Sequence, residues 1–346
     1  MTDRNEIVSR AQAVAENVLF PGALETDSSR VVPRERLDAI AATGLYGLFG
    51  PREAGGLDAD PETGAEVTEV LAGACLTSAF VWAQHHSAVF AVASSPSRAL
   101  RDEWLGRLCR GECRAGVAFA GLRRPGPPIL TARPVAGGWV LHGSAPWVTG
   151  WGRVEVVHTA ARDLEGNVVW LLVDATESST LAVERLELAA VTASATVSLR
   201  FEGHSVPAGR LSFSETMEAF VGRDRAGLWR NGSFPLGLAR RCATLIGSDL
   251  YDDELVACRR LLRDRDPETV ITARCLAADL AVRASSALVA AGGGRSVLVS
   301  EQAQRLAREA MFLLVFGQTP AMRAEQLSRY RQSSAAVAAA IAAGRA

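Results

Sequence analysis

Residues 137–152 read GGWVLHGSAPWVTGWG. Gly137-Gly138 stands between two short apolar runs, Ile129–Val135 and Trp139–His142, and a glycine pair in that place predicts a β-hairpin. Trp147 and Thr149 follow, two residues apart. Side chains alternate along a strand, so the two are expected to share one face. Similar runs surround this stretch, with Gly and Pro between them: Ala115–Ala120, Val154–Ala161, Val168–Val173, Ala182–Leu186 and Thr196–Phe201. Strands at that spacing predict a barrel or sandwich over residues 113–213.

On both sides the period changes from two to that of a helix. Upstream, Ile7, Ala11, Val14 and Val18 fall on one face, and Leu37, Ile40, Ala41, Leu45 and Leu48 on another. Phe20-Pro21-Gly22 breaks the first helix, and Asp27 or Ser28 could cap a nearby turn. Residues 47–60 form a Gly-rich charged loop. An Ala-rich stretch predicts a long helix from Glu66 to about Ser95, with a short one at Leu100–Cys109. Downstream, helices are expected at Leu228–Leu245, Asp252–Arg263, Pro267–Ala291, Ser300–Val315 and Thr319–Ala343. The fold class is therefore α+β and multidomain. An N-terminal helical domain (1–112) precedes a middle β-barrel or sandwich domain (113–213), and an antiparallel four-helix-type bundle (214–346) follows.

Composition narrows the function classes. The 346 residues are 48% hydrophobic and 22% charged, with a formal net charge of −1, so the chain can build real cores. Basic residues number 37 against 38 acidic, without a basic block, and no nucleic-acid partner is expected. All 37 are Arg, which excludes a Schiff-base lysine and a lysine-containing phosphate loop. The six cysteines, at 75, 109, 113, 242, 258 and 275, lack zinc-site spacing and read as buried free thiols; no metal is expected. The acidic N-terminus does not resemble a signal peptide, and no apolar run approaches eighteen residues. A cytoplasmic protein with no membrane partner is expected.

Several segments, in order along the chain, resemble landmarks of the acyl-CoA dehydrogenase superfamily. GLYGLFGPREAGGLDAD (44–60) is similar to the family's loop after the second helix, and residues 137–152 to its strand pair ending in a flavin-contacting Trp-x-Thr. TVSLRFEGHSVPAGRL (196–211) resembles its last strand. GGG (292–294) followed by AQRLAREAMFLLVFGQT (303–319) resembles its Gly-Gly turn and Arg-x-x-Arg-acid helix. The resemblance implies FAD bound between the β domain and the C-terminal bundle. Trp147 and Thr149 would pack on the flavin, with Gly292, Gly293 and Thr319 beside the cofactor. It implies an acyl-CoA or acyl-carrier-protein thioester as substrate. It also implies an oligomer: a homodimer, a homotetramer, or a hetero-oligomer with a paralogue.

The chain departs from that pattern at the chemistry. The position of the family's usual catalytic Glu is Gly317, and the alternative position on the first bundle helix falls near Gly227, with Asp224 the nearest acid. AGLRRPGPP (120–128) replaces a cofactor loop; Arg123 and Arg124 could grip a phosphate or form a solvated loop. His85 and His86, on the helix resembling the floor of the acyl pocket, are weak acid–base candidates. His142, His158 and His204 read as surface positions. Three functions follow: α,β-dehydrogenation of an acyl thioester with FAD as hydride acceptor, a group D-type flavin-dependent monooxygenase on the same fold, or a catalytically silent subunit of a hetero-oligomer.

Overall fold

A computed structural model describes residues 3–342. Their contacts form two compact units, Met1–Arg223 and Asp224–Ala346. The first begins with six helices: α1 (Arg4–Val14), α2 (Ala23–Ser28), α3 (Arg34–Ala42), α4 (Pro61–Ala74), α5 (Leu76–Ala93) and α6 (Arg98–Cys109). Their starts are chemically marked, because Asp3, Asp60 and Ser97 each accept a backbone N–H at an N-terminus. Asp27 and Ser28 instead close α2. The first helix continues as a π-turn to Leu19 before Phe20-Pro21-Gly22 ends it. The long helix expected from Glu66 is two, because Cys75 adopts an extended backbone between α4 and α5.

Eight strands follow: β1 (Ala115–Ala118), β2 (Leu130–Val135), β3 (Gly138–Val148), β4 (Val156–Arg162), β5 (Val168–Asp174), β6 (Leu181–Arg185), β7 (Val197–Pro207) and β8 (Leu211–Glu215). They form one sheet in the order β6-β7-β3-β2-β4-β5-β8, with β1 parallel to β4. The β2–β3 hairpin turns at Gly137, whose φ of 85° suits a residue without Cβ. β3 and β7 run well beyond the spans expected from their apolar runs, since polar residues continue each ladder. The expected run at Ala115–Ala120 is shorter, passing into a 3₁₀ turn at Ala120–Arg123. β8 had no sequence signal of its own, with three polar residues in five.

The sheet buries Leu141, Val148, Val169, Leu171, Leu199 and Phe201 in one core. A second core joins it to the helices: Val89 and Val92 of α5 and Trp104 and Leu108 of α6 pack with Ala115, Val156 and Leu172. β4 and β5 are thus covered on both faces, which is why they read as unbroken apolar runs.

Helix α7 (Met217–Gly227) leads into the second unit, which holds α8 (Ser233–Ile246), α9 (Asp252–Asp264), α10 (Pro267–Gly292), α11 (Gln302–Val315) and α12 (Pro320–Ala342). The expected start at Leu228 is a 3₁₀ turn, with α8 beginning at Ser233. α10 is the central helix, touching α8, α9, α11 and α12. Its length and composition would allow it to cross a membrane, but its small apolar face (Ala273, Ala277, Leu280, Ala281, Ala284) is the buried seam of this bundle. On α11, Arg305 and Glu309 form a fully buried ion pair at 2.7 Å. The expected end of the last helix, Ala343, lies outside the described residues.

Candidate functional site

The hairpin stretch reaches its end in strained backbone. The β3–β7 register shifts between Ala145 and Val148, a bulge, and Trp147 within it has φ 63°. The bulge interrupts the simple alternation from which a common face for Trp147 and Thr149 is expected. Trp147 stands 53% exposed, whereas Thr149 is buried at 2%. The loop packed behind them is strained as well: Val191 (φ 51°) and Ala195 (φ 47°) flank a 3₁₀ turn at Thr192–Ser194. Its carbonyls receive the N–H groups of Gly150 (to Ser194, 2.8 Å) and Trp151 (to Ala195, 3.3 Å). Three of the five non-glycine residues with positive φ among the described residues therefore gather here. Such strain persists only where surroundings enforce it, and it concentrates at binding and catalytic sites.

Hydroxyls fill the space between these segments. Ser194 Oγ lies 2.8 Å from Thr196 Oγ1, which lies 3.2 Å from Thr149 Oγ1. All three side chains are buried.

Helix α5 packs nearby, since a Cβ on Gly150 would lie 3.3 Å from Val81. One turn on, His85 is fully buried. Its Nδ1 accepts from the Ala115 amide at 3.1 Å, so the ring proton sits on Nε2 and is donated to the Leu108 carbonyl at 3.1 Å. Both nitrogens are spent on backbone, and burial depresses the pKa to about 3. His86 is ringed by Phe49, Trp82 and His85, and neither of its nitrogens has a hydrogen-bond partner among the described residues. Burial holds it far below the usual imidazole range. Neither ring is a strong proton acceptor where it stands.

The expected surface position of His158 is wrong. It is buried on β4, stacked on Trp170 with ring centroids 4.6 Å apart. Ser212 Oγ donates to the Trp170 carbonyl, so it accepts from His158 Nε2 at 3.0 Å, and Nδ1 accepts from Ser87 Oγ at 2.9 Å. Burial again drives this pKa to about 3. The signal that could have placed it is the unbroken apolar run around it, a mark of a strand covered on both faces. His142 is exposed and His204 half-buried.

A cavity of about 150 Å³ opens beside Ser144 and Ala145, in the same C-terminal half of β3 as Trp147, walled also by Phe119, Leu122, Ile129, Met217, Arg124 and Arg162. Arg162 Nε is buried without a hydrogen-bond partner among the described residues. Arg124 of the loop at residues 120–128 faces this space, while Arg123 lies over the Phe119 ring. Guanidinium groups on an apolar wall suit an anionic group carried on an organic body.

In the second unit, Gly317 has φ 61°, and a Cβ there would lie 2.9 Å from Asn231 Nδ2. Beside it, Arg274 donates to the carbonyls of Phe316 (2.9 Å) and Leu228 (2.8 Å), tying off the end of α11. Thr319 caps α12, accepting from the Met322 amide at 3.3 Å. Gly293 ends α10 with φ 61° and ψ −151°, and a Cβ on Gly292 would collide with Ser296 Oγ. Gly293 is thus required by the turn itself, whereas at Gly292, in ordinary helical backbone, the obstacle is the rotatable Ser296 hydroxyl. Asp224 is half-exposed on α7. Among the described residues, no three His, Cys, Asp or Glu side chains gather as a metal site.

Residues 1–112 match the family described as acyl-CoA dehydrogenase, N-terminal domain. The chain is 25% identical over 218 residues to a probable acyl-CoA dehydrogenase, FadE25, of Mycobacterium tuberculosis, covering 60% of this chain and 56% of that one. It is 29% identical over 140 residues to (2S)-methylsuccinyl-CoA dehydrogenase of Cereibacter sphaeroides, covering 39% and 25%. These matches span little more than half, and a quarter, of the two relatives. Among solved structures, butyryl-CoA dehydrogenase from Megasphaera elsdenii superposes with a TM-score of 0.79 at 17% identity, over 95% of this chain and 98% of that one.

Proposed function

The chain belongs with the acyl-CoA dehydrogenase superfamily, and from that premise we propose that it is an FAD-dependent oxidoreductase acting on an acyl thioester. The observation that carries this reading is Trp147. A large indole left half-exposed, on a backbone that costs an L-residue roughly 1–2 kcal/mol, suits a surface that a flat ring covers. Thr149, two residues further on, brings a buried hydroxyl bonded to Thr196, so the pair suits a ring with an apolar body and a polar edge. FAD, when bound there, supplies the acceptor for a hydride.

The chain's own residues divide the remaining work. Arg124 and Arg162, on the apolar cavity of the β domain, are placed to grip the phosphate-bearing carrier of a thioester. Taking a proton from the carbon next to the thioester carbonyl requires a base, and the position of the family's usual carboxylate is Gly317. His85 is committed to backbone and His86 is enclosed by rings, so neither replaces it in this state.

That gap favours a second reading on the same fold, in which the bound flavin does not work with a carboxylate base. It would then be a flavin-dependent monooxygenase, or a silent subunit paired with an intact paralogue. Anaerobic titration of the flavin-loaded protein separates these. Bleaching of the flavin absorbance by an acyl-CoA supports dehydrogenation. Bleaching only by a reductase and NADH supports oxygenation, and a chain that takes up no flavin supports the silent subunit.

A further inference from the structure

The chain of hydroxyls behind Trp147 carries one more proton than it can place. Ser194, Thr196 and Thr149 bring three O–H donors, and the two links between them consume two. No other hydrogen bond is made by these three oxygens among the described residues. A buried donor left unmatched costs on the order of 1–3 kcal/mol, so the surplus proton belongs where an outside acceptor can reach it. Ser194 is 0% exposed, and Thr196 already has an oxygen on either side. Thr149 is the end of the chain that lies two residues from exposed Trp147.

We propose that Ser194 and Thr196 are positioning residues that point the Thr149 hydroxyl outward as a donor to an acceptor atom on the bound flavin's edge. The donors then run Ser194 to Thr196 to Thr149. The strained loop has a matching purpose. With Val191 and Ala195 left-handed, the turn between them brings Ser194 against Thr196 while its carbonyls hold Gly150 and Trp151. A relaxed loop would not present Ser194 at this point. The inference rests on the flavin reading above, and its test has one arm that does not depend on it.

That arm is the melting temperature of the flavin-free protein. Thr196→Val breaks both links, whereas Thr149→Val and Ser194→Ala each break one. Thr196→Val is therefore expected to melt lowest, with Thr196→Ser close to wild type. Equal or larger losses for the two end variants would overturn the relay. The second arm is FAD affinity by fluorescence titration. Thr196→Val is expected to weaken FAD binding about tenfold when Thr149 is present and not at all in the Thr149→Val background, as one lost hydrogen bond transmitted through Thr149 requires. Thr196→Ser should restore affinity. An equal loss in both backgrounds would make Thr196 a packing residue and overturn the proposal. A wild-type chain that binds no FAD would overturn the proposed function and the outward role of Thr149 together, while the melting order still decides whether the relay exists.

Discussion

Trp147 holds a backbone conformation that suits glycine or asparagine far better than an indole. Trp147→Asn accepts the left-handed geometry, so the flavin-free variant should melt no lower than wild type, while the flavin content after purification falls sharply. A variant that keeps its flavin would remove Trp147 from the binding surface. Gly317 presents the opposite case. Writing the family's missing Glu into this position forces an L-residue to φ 61° and drives Cβ toward Asn231. Gly317→Glu is expected to lose about 1–2 kcal/mol of stability, checked by urea titration, instead of simply installing a base. Both positions were legible in the sequence as places of interest. The geometry was not, because a bulge adds a residue to a strand without any signature in its apolar pattern.

At the scale of elements, two buried histidines lock helices to the sheet. His85 joins α5 to the end of α6 and the start of β1, and His158 joins α5 to β4 and β8 through Ser87 and Ser212. Both are neutral in the fold, with pKa near 3 against 6.5 in the unfolded chain. Between those values the unfolded state binds more protons, so stability is full above pH 6.5 and falls as pH drops toward 3. Each ring adds a slope of about 1.4 kcal/mol per pH unit within that window. Urea midpoints at pH 7 and pH 5 should show a marked loss at pH 5, and His158→Gln should flatten it. A pH-independent midpoint would mean that these rings are not held neutral. The i, i+3 and i, i+4 pattern identified α5 and the neighbourhood of Trp82, His85 and His86. It could not show which ring was tied to backbone, since Leu108 and Ala115 become neighbours of His85 only through the tertiary fold. The break at Cys75 was hidden for a related reason: Ala-rich sequence favours helix on both sides of it.

For the molecule as a whole, the order of helices, strands and helices was readable because the hydrophobic period changes near residues 113 and 213. Polar strands such as β8, and the sheet order, depend on pairing over long separations that no local pattern records. All six cysteines are buried and free. Burial raises Cys109, Cys113 and Cys275 to about 11, and Cys242 to about 12. None should react with a thiol reagent at pH 8 in the native protein, and all six should react in denaturant. Cys75, Cys109 and Cys113 lie in the first unit and the other three in the second, so three fast thiols in mild urea would mark one unit opening alone. The chemistry was the least legible part, because the site combines a resemblance in its scaffold with departures at Gly317 and in the loop at residues 120–128.

The most direct measurement is the flavin content of the purified wild-type chain, followed by FAD titration of any flavin-free fraction, beside Trp147→Ala. The expected result is close to one FAD per chain for wild type and a large deficit for the variant. No flavin in either, and no uptake on titration, would contradict a redox ring resting on Trp147.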